Sequence, residues 1–330
     1  MLPAPNLDML YRACAETGGG SGSGSGAGRR APLGIILVGD FCQLPPIKAR
    51  WCFEADCWSR FAASTEKLTK VWRQADAGLL TALNLTRQGA GAAAARQLTM
   101  LGASWHTALD TEFDGTTIVP KNDQVDRYNL EALSRVRGLA FTVKSRRWGR
   151  ERAEWKLVPG KLELKVGAYV MLLANAPDGS GGFLYVNGDC GHVVDADAEG
   201  VRVRLVRTGD KVRVPLLTRD VDRNDLPEGA DKEKRPGWVP FPHRNLRGRW
   251  VEGQCQYYPL RLAYASTVHK TQSLTLDRVQ VDYRHGFFKA PAMLYVALSR
   301  CRTLEGLRLV GQPEVFARHC NTDPAVREFL

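Results

Sequence analysis

Apolar positions near the start of the chain recur at helical spacing. Leu7, Leu10, Tyr11 and Cys14 fall three and four residues apart and predict a short helix over 6–16. The next stretch, residues 18–28, is only glycine, serine and alanine. Such a tract buries nothing and predicts a flexible loop with a span of roughly 17–20 Å. Residues 35–38 then form an unbroken apolar run between a glycine and an aspartate. This fits a strand buried on both faces of a parallel sheet, with a buried helical turn as the competing reading. Pro45 and Pro46 forbid continuation as either, so the chain must turn there.

The pattern over 75–101 is helical, with Leu79, Leu80, Leu83 and Leu85 early and an alanine-rich run later. Residues 116–120 read as a strand and 123–133 as a helix capped by Asn122 or Asp123. Between 157 and 217 the character changes to short apolar runs separated by Gly, Asn and Asp, with Asn187-Gly188 as a hairpin signal. Close-spaced strands of this kind predict a small β-barrel module set between two α/β segments. Residues 224–249 are polar, charged and proline-bearing, and read as an exposed loop. The α/β pattern resumes with strands over 257–265 and 276–283, a short helix start at 268–272, a helix over 293–299 and a final strand over 304–310. No internal repeat is visible. The pattern as a whole predicts an α/β domain interrupted by a β module.

Composition refines this picture in two ways. The 46 Lys and Arg against 35 Asp and Glu leave a net charge of +11, which favours a polyanionic partner such as nucleic acid or an acidic membrane surface. Eight cysteines in 330 residues, none in a C-x-x-C pair, are too sparse for a disulfide scaffold and read as thiols of an intracellular protein. Cys52 and Cys57 come nearest to ligand spacing, and with scattered histidines they do not predict a metal site. No run of 18 apolar residues and no charged-then-apolar leader is present, so neither a membrane span nor secretion is predicted.

Three constellations carry candidate chemistry. In a parallel α/β sheet ligands sit beyond the carboxyl ends of the strands, which is where the run 35–38 delivers Asp40 and Gln43. Asp40 suits a metal-bound water or a turn cap; Gln43 suits orienting water or meeting a phosphate oxygen. The second constellation is AYASTVHKTQ, where a strand ends and a helix begins. Thr267, His269, Lys270 and Gln272 there offer donors and charge to a nucleic-acid backbone, although a solvated helix start has the same letters. The third is YVALSR, which puts Arg300 at a helix end. That placement suits the helix dipole, and it also suits a planar donor fork aimed at a γ-phosphate. Arg73, in LTKVWRQAD, is a similar candidate.

The blocks GDFCQLPP, KVWRQAD, IVPKNDQVDRYN, LKVGAYVMLLAN with YVNGDCGHVV, PLRLAYASTVHKTQSLTLD and YVALSRCRTLEGL occur in that order over about 33–312. In that order they closely resemble the later motifs of the petite-integration-frequency family of DNA helicases, which are RecD-like members of superfamily one. The resemblance implies RecA-like domains of P-loop NTPase type, the first incomplete, with an SH3-like β-barrel insert. It places a remnant of the first domain at 1–70, the second at 71–154 and 257–330, and the insert at 155–256. It also implies ATP hydrolysis with Mg2+, coupled to 5′-to-3′ movement on single-stranded DNA and unwinding of forks. DNA repair, recombination, telomere or organellar genome maintenance would be its setting, in nucleus or mitochondrion. Asp40 and Gln43 would sense the γ-phosphate, Arg73 and Arg300 would contact it, and Thr267, His269, Lys270 and Gln272 would grip DNA.

The pattern departs from the family in two places. No G-x-x-x-x-G-K-[ST] string occurs, so the loop that cradles phosphates is missing from this sequence. MLPAPNLDMLYRA resembles the family's stretch just after the magnesium-binding acidic pair, so the resemblance implies that both elements would lie before Met1 and that this polypeptide alone hydrolyses no ATP. A nucleic-acid-binding module without catalysis is the competing reading. Ser273 stands where the family usually has glycine; if that position needs positive φ, serine costs on the order of 1 kcal/mol.

Overall fold

The computed structural model describes residues 2–18, 34–153, 155, 158–197, 199–223, 250–272, 274–284 and 286–329. The predicted glycine-serine loop beyond residue 18, the predicted loop 224–249 and the Ser273 position lie outside the described residues. The chain forms two compact units, one comprising Met1–Leu109, Val268–Gln272 and Val279–Leu330, the other Asp110–Thr267 and Ser273–Arg278.

In the first unit the opening helix, Ala4–Gly18, is longer than its apolar spacing predicts. It buries Ala4 and Leu7 against Cys52 and Ala55, with Leu37 and Phe61 at the edge of the cluster. Asp8 accepts the backbone N–H groups of Cys57 at 2.9 Å and Asp56 at 3.3 Å. These bonds favour its ionised form and lower its pKa. Phe41 lies edge-on to Trp51, Phe53, Trp58 and Phe329, and Phe53 stacks on Phe329 at 4.3 Å, so the last helix, Pro324–Phe329, is tied into this aromatic cluster.

The strand expected over 35–38 is not formed. Residues 34–40 make no ladder, and Ile36 and Val38 are 90% and 88% exposed while Ile35 and Leu37 are half-buried. A strand exists only through a neighbour that pairs its backbone groups, and none of the described residues supplies one here. A second departure concerns 75–101, which is two helices, Ala77–Arg87 and Gly91–Met100. The break is at Gly89, whose φ of +77° ends the first helix in the left-handed region that glycine enters freely. Asp76 caps the first of them, its carboxylate accepting the Leu79 N–H at 2.6 Å. Three parallel strands, in the order Trp105–His106, Leu307–Val310 and Val279–Asp282, complete the unit.

The second unit opens with the parallel pair Thr116–Val119 and Ala265–Thr267. The helix Asn122–Arg135 covers it, burying Val125 against Val119 and Ala265. Its N-cap is Lys121 rather than Asn122 or Asp123, and no side chain caps it. Asn129 fastens the helix to the strand by accepting the Ala265 N–H at 2.9 Å and donating to the Ala265 carbonyl at 3.3 Å. The rest of the unit is antiparallel. The largest sheet runs Lys211–Val214, Gly200–Leu205, Cys190–Asp197, Tyr169–Leu172, Leu260–Leu262. Val201, Val203, Leu205, Val212 and Val214 alternate into its core while Arg202, Arg204, Lys211 and Arg213 alternate outward, the period-two pattern of a sheet with one wet face. A second sheet orders Leu217–Arg223, Trp250–Tyr257 and Arg146–Gly149, and Ala140–Lys144 pairs with Lys161–Lys165. Antiparallel ladders therefore begin at 140 and reach 262.

Asn187-Gly188 is a turn, with Gly188 at φ +97°, but it does not join a hairpin. Phe183–Tyr185 before it pairs with Ala176–Pro177, whereas Cys190–Asp197 after it pairs with Tyr169–Leu172 and Gly200–Leu205. The Gly188 N–H instead donates to the Leu172 carbonyl at 2.8 Å.

Candidate active site

The segment after Gly39 folds as a tight turn. The Gln43 N–H donates to the Asp40 carbonyl at 3.0 Å and the Cys42 N–H to Asp40 Oδ1 at 3.1 Å, so the carboxylate caps its own turn. The same carboxylate also reaches distant elements of the first unit. Arg87, in the last turn of Ala77–Arg87, donates to Oδ1 at 2.9 Å, and the Tyr295 hydroxyl to Oδ2 at 3.4 Å. Gln43 Nε2 is also 3.4 Å from Oδ2. Burial works against the Arg87 charge, but the hydrogen bond to Asp40 and the Asp40 charge, with smaller contributions from Cys42 and Tyr295, together raise the pKa. Burial, reinforced by the Asp40 charge, pushes the Tyr295 phenol up to about 12, and burial raises the Cys42 thiol.

Arg73 and Arg300 meet at the end of the helix Met293–Leu298. Arg300 is 2% exposed; its Nε donates to the Val296 carbonyl at 2.8 Å and a terminal nitrogen donates to Ser299 Oγ at 2.7 Å. The guanidinium is thus folded onto the carbonyl end of its own helix, where a cation is favoured, rather than extended as a solvent-facing fork. Arg73 is half-buried and donates to the Ser299 carbonyl at 3.0 Å. Burial lowers the Arg300 pKa to about 10, with the nearby Arg73 charge acting in the same direction. Burial likewise lowers that of Arg73. Two neighbouring guanidiniums, one buried and one half-buried, form a place that an anion would stabilise.

Gln272 joins the turn to the HKTQ segment, its Nε2 lying 3.4 Å from Gln43 Oε1. His269 and Lys270, in the short helix Val268–Thr271, are exposed, and His269 sits beside the Phe287 ring. Thr267, buried, is the last residue of the strand Ala265–Thr267 in the second unit. The structure thus brings Asp40, Gln43 and Gln272 into one hydrogen-bonded series and Arg73 and Arg300 to one helix end.

Sequence reading missed three residues on which this arrangement depends. Gln74 is buried, and its Nε2 donates to the carbonyls of Ser299 at 3.1 Å and Cys301 at 2.7 Å, which holds the chain on both sides of Arg300. Arg87 and Tyr295 hold Asp40. Gln74 and Tyr295 lie inside the blocks WRQAD and YVALSR, so their positions were visible and only their partners were not. Arg87 reads in sequence as an ordinary helix-end cation and carries no local signal. Among the described residues no group of three His, Cys, Asp or Glu side chains is placed to hold a metal ion, and no helix is long and apolar enough to cross a membrane.

No protein-family model matches the chain. The ATP-dependent DNA helicase Pif1 of Bdellovibrio bacteriovorus is 30% identical over 304 residues, covering 89% of this chain and 61% of that protein. The human ATP-dependent DNA helicase PIF1 is 32% identical over 305 residues, covering 89% of this chain and 43% of that protein. The chain therefore spans less than two thirds of the length of these curated relatives. Among solved structures, a double mutant of Pif1 helicase from Bacteroides superposes with a TM-score of 0.69 at 23% identity, over 100% of this chain and 72% of that one. Bacteroides Pif1 in complex with ADP-AlF3 and ssDNA gives a TM-score of 0.61 at 24% identity, with the same coverage. The fold is accordingly of the RecA-like α/β class. The chain belongs to the Pif1 family of RecD-like, superfamily-one DNA helicases.

Proposed function

We propose that this chain carries the γ-phosphate-facing and strand-gripping parts of an ATP-dependent DNA helicase that moves 5′ to 3′ on single-stranded DNA and separates forks, in DNA repair, recombination, telomere or organellar genome maintenance. The observation that carries the reading is the pairing of half-buried Arg73 with buried Arg300, with the series Gln43 to Gln272 leading from the adjoining turn to the HKTQ segment. Mutually repelling cations in a low-dielectric setting suit a multiply charged phosphate. When bound, ATP with Mg2+ supplies a transferable γ-phosphoryl group whose charge the protein must stabilise. Arg73 and Arg300 would hold that phosphate, Gln43 with Asp40 would monitor it, and Thr267, His269, Lys270 and Gln272 would hold the DNA backbone. The described residues offer no magnesium cluster, so the metal is assigned to none of them.

In this reading 1–70 belong to a first RecA-like domain, 71–154 and 257–330 to a second, and 155–256 to an SH3-like insert. The run of short antiparallel strands supports the insert, although ladder strands at 140–149 and 260–262 lie outside those bounds. One observation favours a second reading, a nucleic-acid-binding module without catalysis. The sequence contains no phosphate-cradling P-loop string.

Fluorescence anisotropy with a labelled oligothymidylate tests the strand grip. Affinity should fall steeply as salt rises, and Lys270→Ala should flatten the log-log slope by about 0.7 for one lost phosphate contact. Salt-insensitive binding, or none, would overturn the strand-gripping role. Inorganic tripolyphosphate then separates the two readings: binding lost in Arg300→Ala supports the helicase site, whereas DNA binding without tripolyphosphate binding supports the module. The chain alone should not turn over ATP, and turnover that is DNA-stimulated and abolished by Arg300→Ala would refute that expectation.

A further inference from the structure

Arg87 belongs to none of the sequence blocks that carry the family resemblance, yet it stands where the two arms of the site meet. Its guanidinium is 2.9 Å from Asp40 Oδ1, with both side chains about one quarter exposed. Its backbone is pinned at the far end of the helix. The Thr322 hydroxyl donates to the Arg87 carbonyl at 2.7 Å, and the Cys320 thiol donates to the Thr86 carbonyl at 3.3 Å. The turn on the other side of the bond is pinned as well, because Cys42 and Trp51 are buried together with Val326 of the last helix. The Arg87–Asp40 pair is therefore fixed at both of its ends.

From Asp40 one arm runs through Gln43 to Gln272, in the segment carrying His269 and Lys270. The other runs through the Tyr295 hydroxyl, and the Tyr295 carbonyl accepts the Ser299 N–H at 2.9 Å, one residue before Arg300. Both arms depend on where the Asp40 carboxylate is held. Arg87 supplies its shortest side-chain bond and its ion-pair partner, whereas Tyr295 and Gln43 each stand at 3.4 Å. Without Arg87 the half-buried carboxylate would face Tyr295 and the tight turn with its charge uncompensated, and reorientation toward solvent would release both arms at once.

We propose that Arg87 is a positioning residue: by fixing Asp40 it keeps Gln43 against Gln272 and Tyr295 against the Arg300 turn, and so couples anion binding at Arg73 and Arg300 to strand binding at 269–272. The inference rests on the helicase reading above and extends it to a residue that touches neither ligand. Its signature is selective, with each ligand still bound and the dependence of one on the other lost.

The test uses the full chain with a labelled oligothymidylate and inorganic tripolyphosphate as probes. Each affinity is measured with the other probe absent and saturating, and reciprocity requires the same factor in both directions. The wild-type chain should show a coupling of about fivefold or more, at the lower end of typical coupling energies. Arg87→Ala should bring that factor to within about twofold of unity while leaving each separate affinity near its wild-type value. Arg87→Lys, which keeps the charge opposite Asp40, should restore part of it, and Tyr295→Phe, which keeps the ring and removes the hydroxyl, should weaken only one arm. Coupling that survives in Arg87→Ala, or affinities that fall together without selectivity, would overturn the positioning role and leave the helicase reading standing. Failure of the wild-type chain to bind either probe would overturn that reading, and the positioning role with it.

Discussion

Replacing Gln74 by alanine removes a side chain that is 4% exposed and that donates at 3.1 Å and 2.7 Å to the carbonyls flanking Arg300. Each neutral hydrogen bond contributes about 1 kcal/mol net, so the two together account for about 2 kcal/mol. The space vacated by the amide and one methylene in a close-packed setting adds roughly 1 kcal/mol. A cost of roughly 2–3 kcal/mol is expected, read as a lowered urea midpoint at unchanged slope. Gln74→Met refills most of the volume without the donors and should recover only the packing share, about 1 kcal/mol. Because Gln74 fixes the backbone on both sides of Arg300, tripolyphosphate affinity should fall in both variants while oligothymidylate affinity holds. A cost below about 0.5 kcal/mol in both variants, or full recovery by methionine, would show that the two bonds do not hold this turn.

His319 is buried with Nδ1 2.8 Å from the Tyr283 carbonyl, so that nitrogen carries the proton of a neutral ring. Burial lowers its pKa; the Tyr283 carbonyl opposes this, and the charges of Lys289 and Arg318 add to it. A histidine pKa depressed on folding contributes stability that is fully present above the unfolded value of about 6.5 and is lost as pH falls through the folded value. Urea unfolding of the wild type should therefore weaken below about pH 6.5, and His319→Gln should remove part of that dependence; an unchanged profile would refute the assignment. Gly89→Ala should cost about 1–2 kcal/mol in the same assay, because a Cβ at φ +77° is strained and would lie 2.6 Å from the Arg327 guanidinium. A neutral result would mean that the break between the two helices is not set there.

Much of the local order was legible in the sequence because its causes are local. Leu7, Leu10 and Tyr11 mark a helix through their spacing, Pro45 and Pro46 force a turn, and the short apolar runs separated by Gly, Asn and Asp between 157 and 217 mark a series of short strands. The ordered blocks likewise pointed to a family that the relatives then established. What failed had distant causes. Residues 35–38 have the letters of a buried strand, but a ladder needs a partner that no local pattern encodes, and Ile36 and Val38 stand exposed. Asn187-Gly188 has the letters of a hairpin, yet the strands on its two sides pair elsewhere. Gly89 looked like one more small residue in a helical run until its φ made it a break.

The same division runs through the candidate site. Residue type and order alone determined that Asp40, Gln43, Arg73, Arg300 and the HKTQ segment are worth testing. Only the tertiary structure decided that Gln43 meets Gln272, that Gln74 braces the turn of Arg300, and that Arg87, 47 residues from Asp40, closes on its carboxylate. The physical reason is one of range: periodicity, capping and turn chemistry act over a few residues, whereas burial, pairing and the fields that shift a pKa depend on which distant groups the fold brings within a few ångströms.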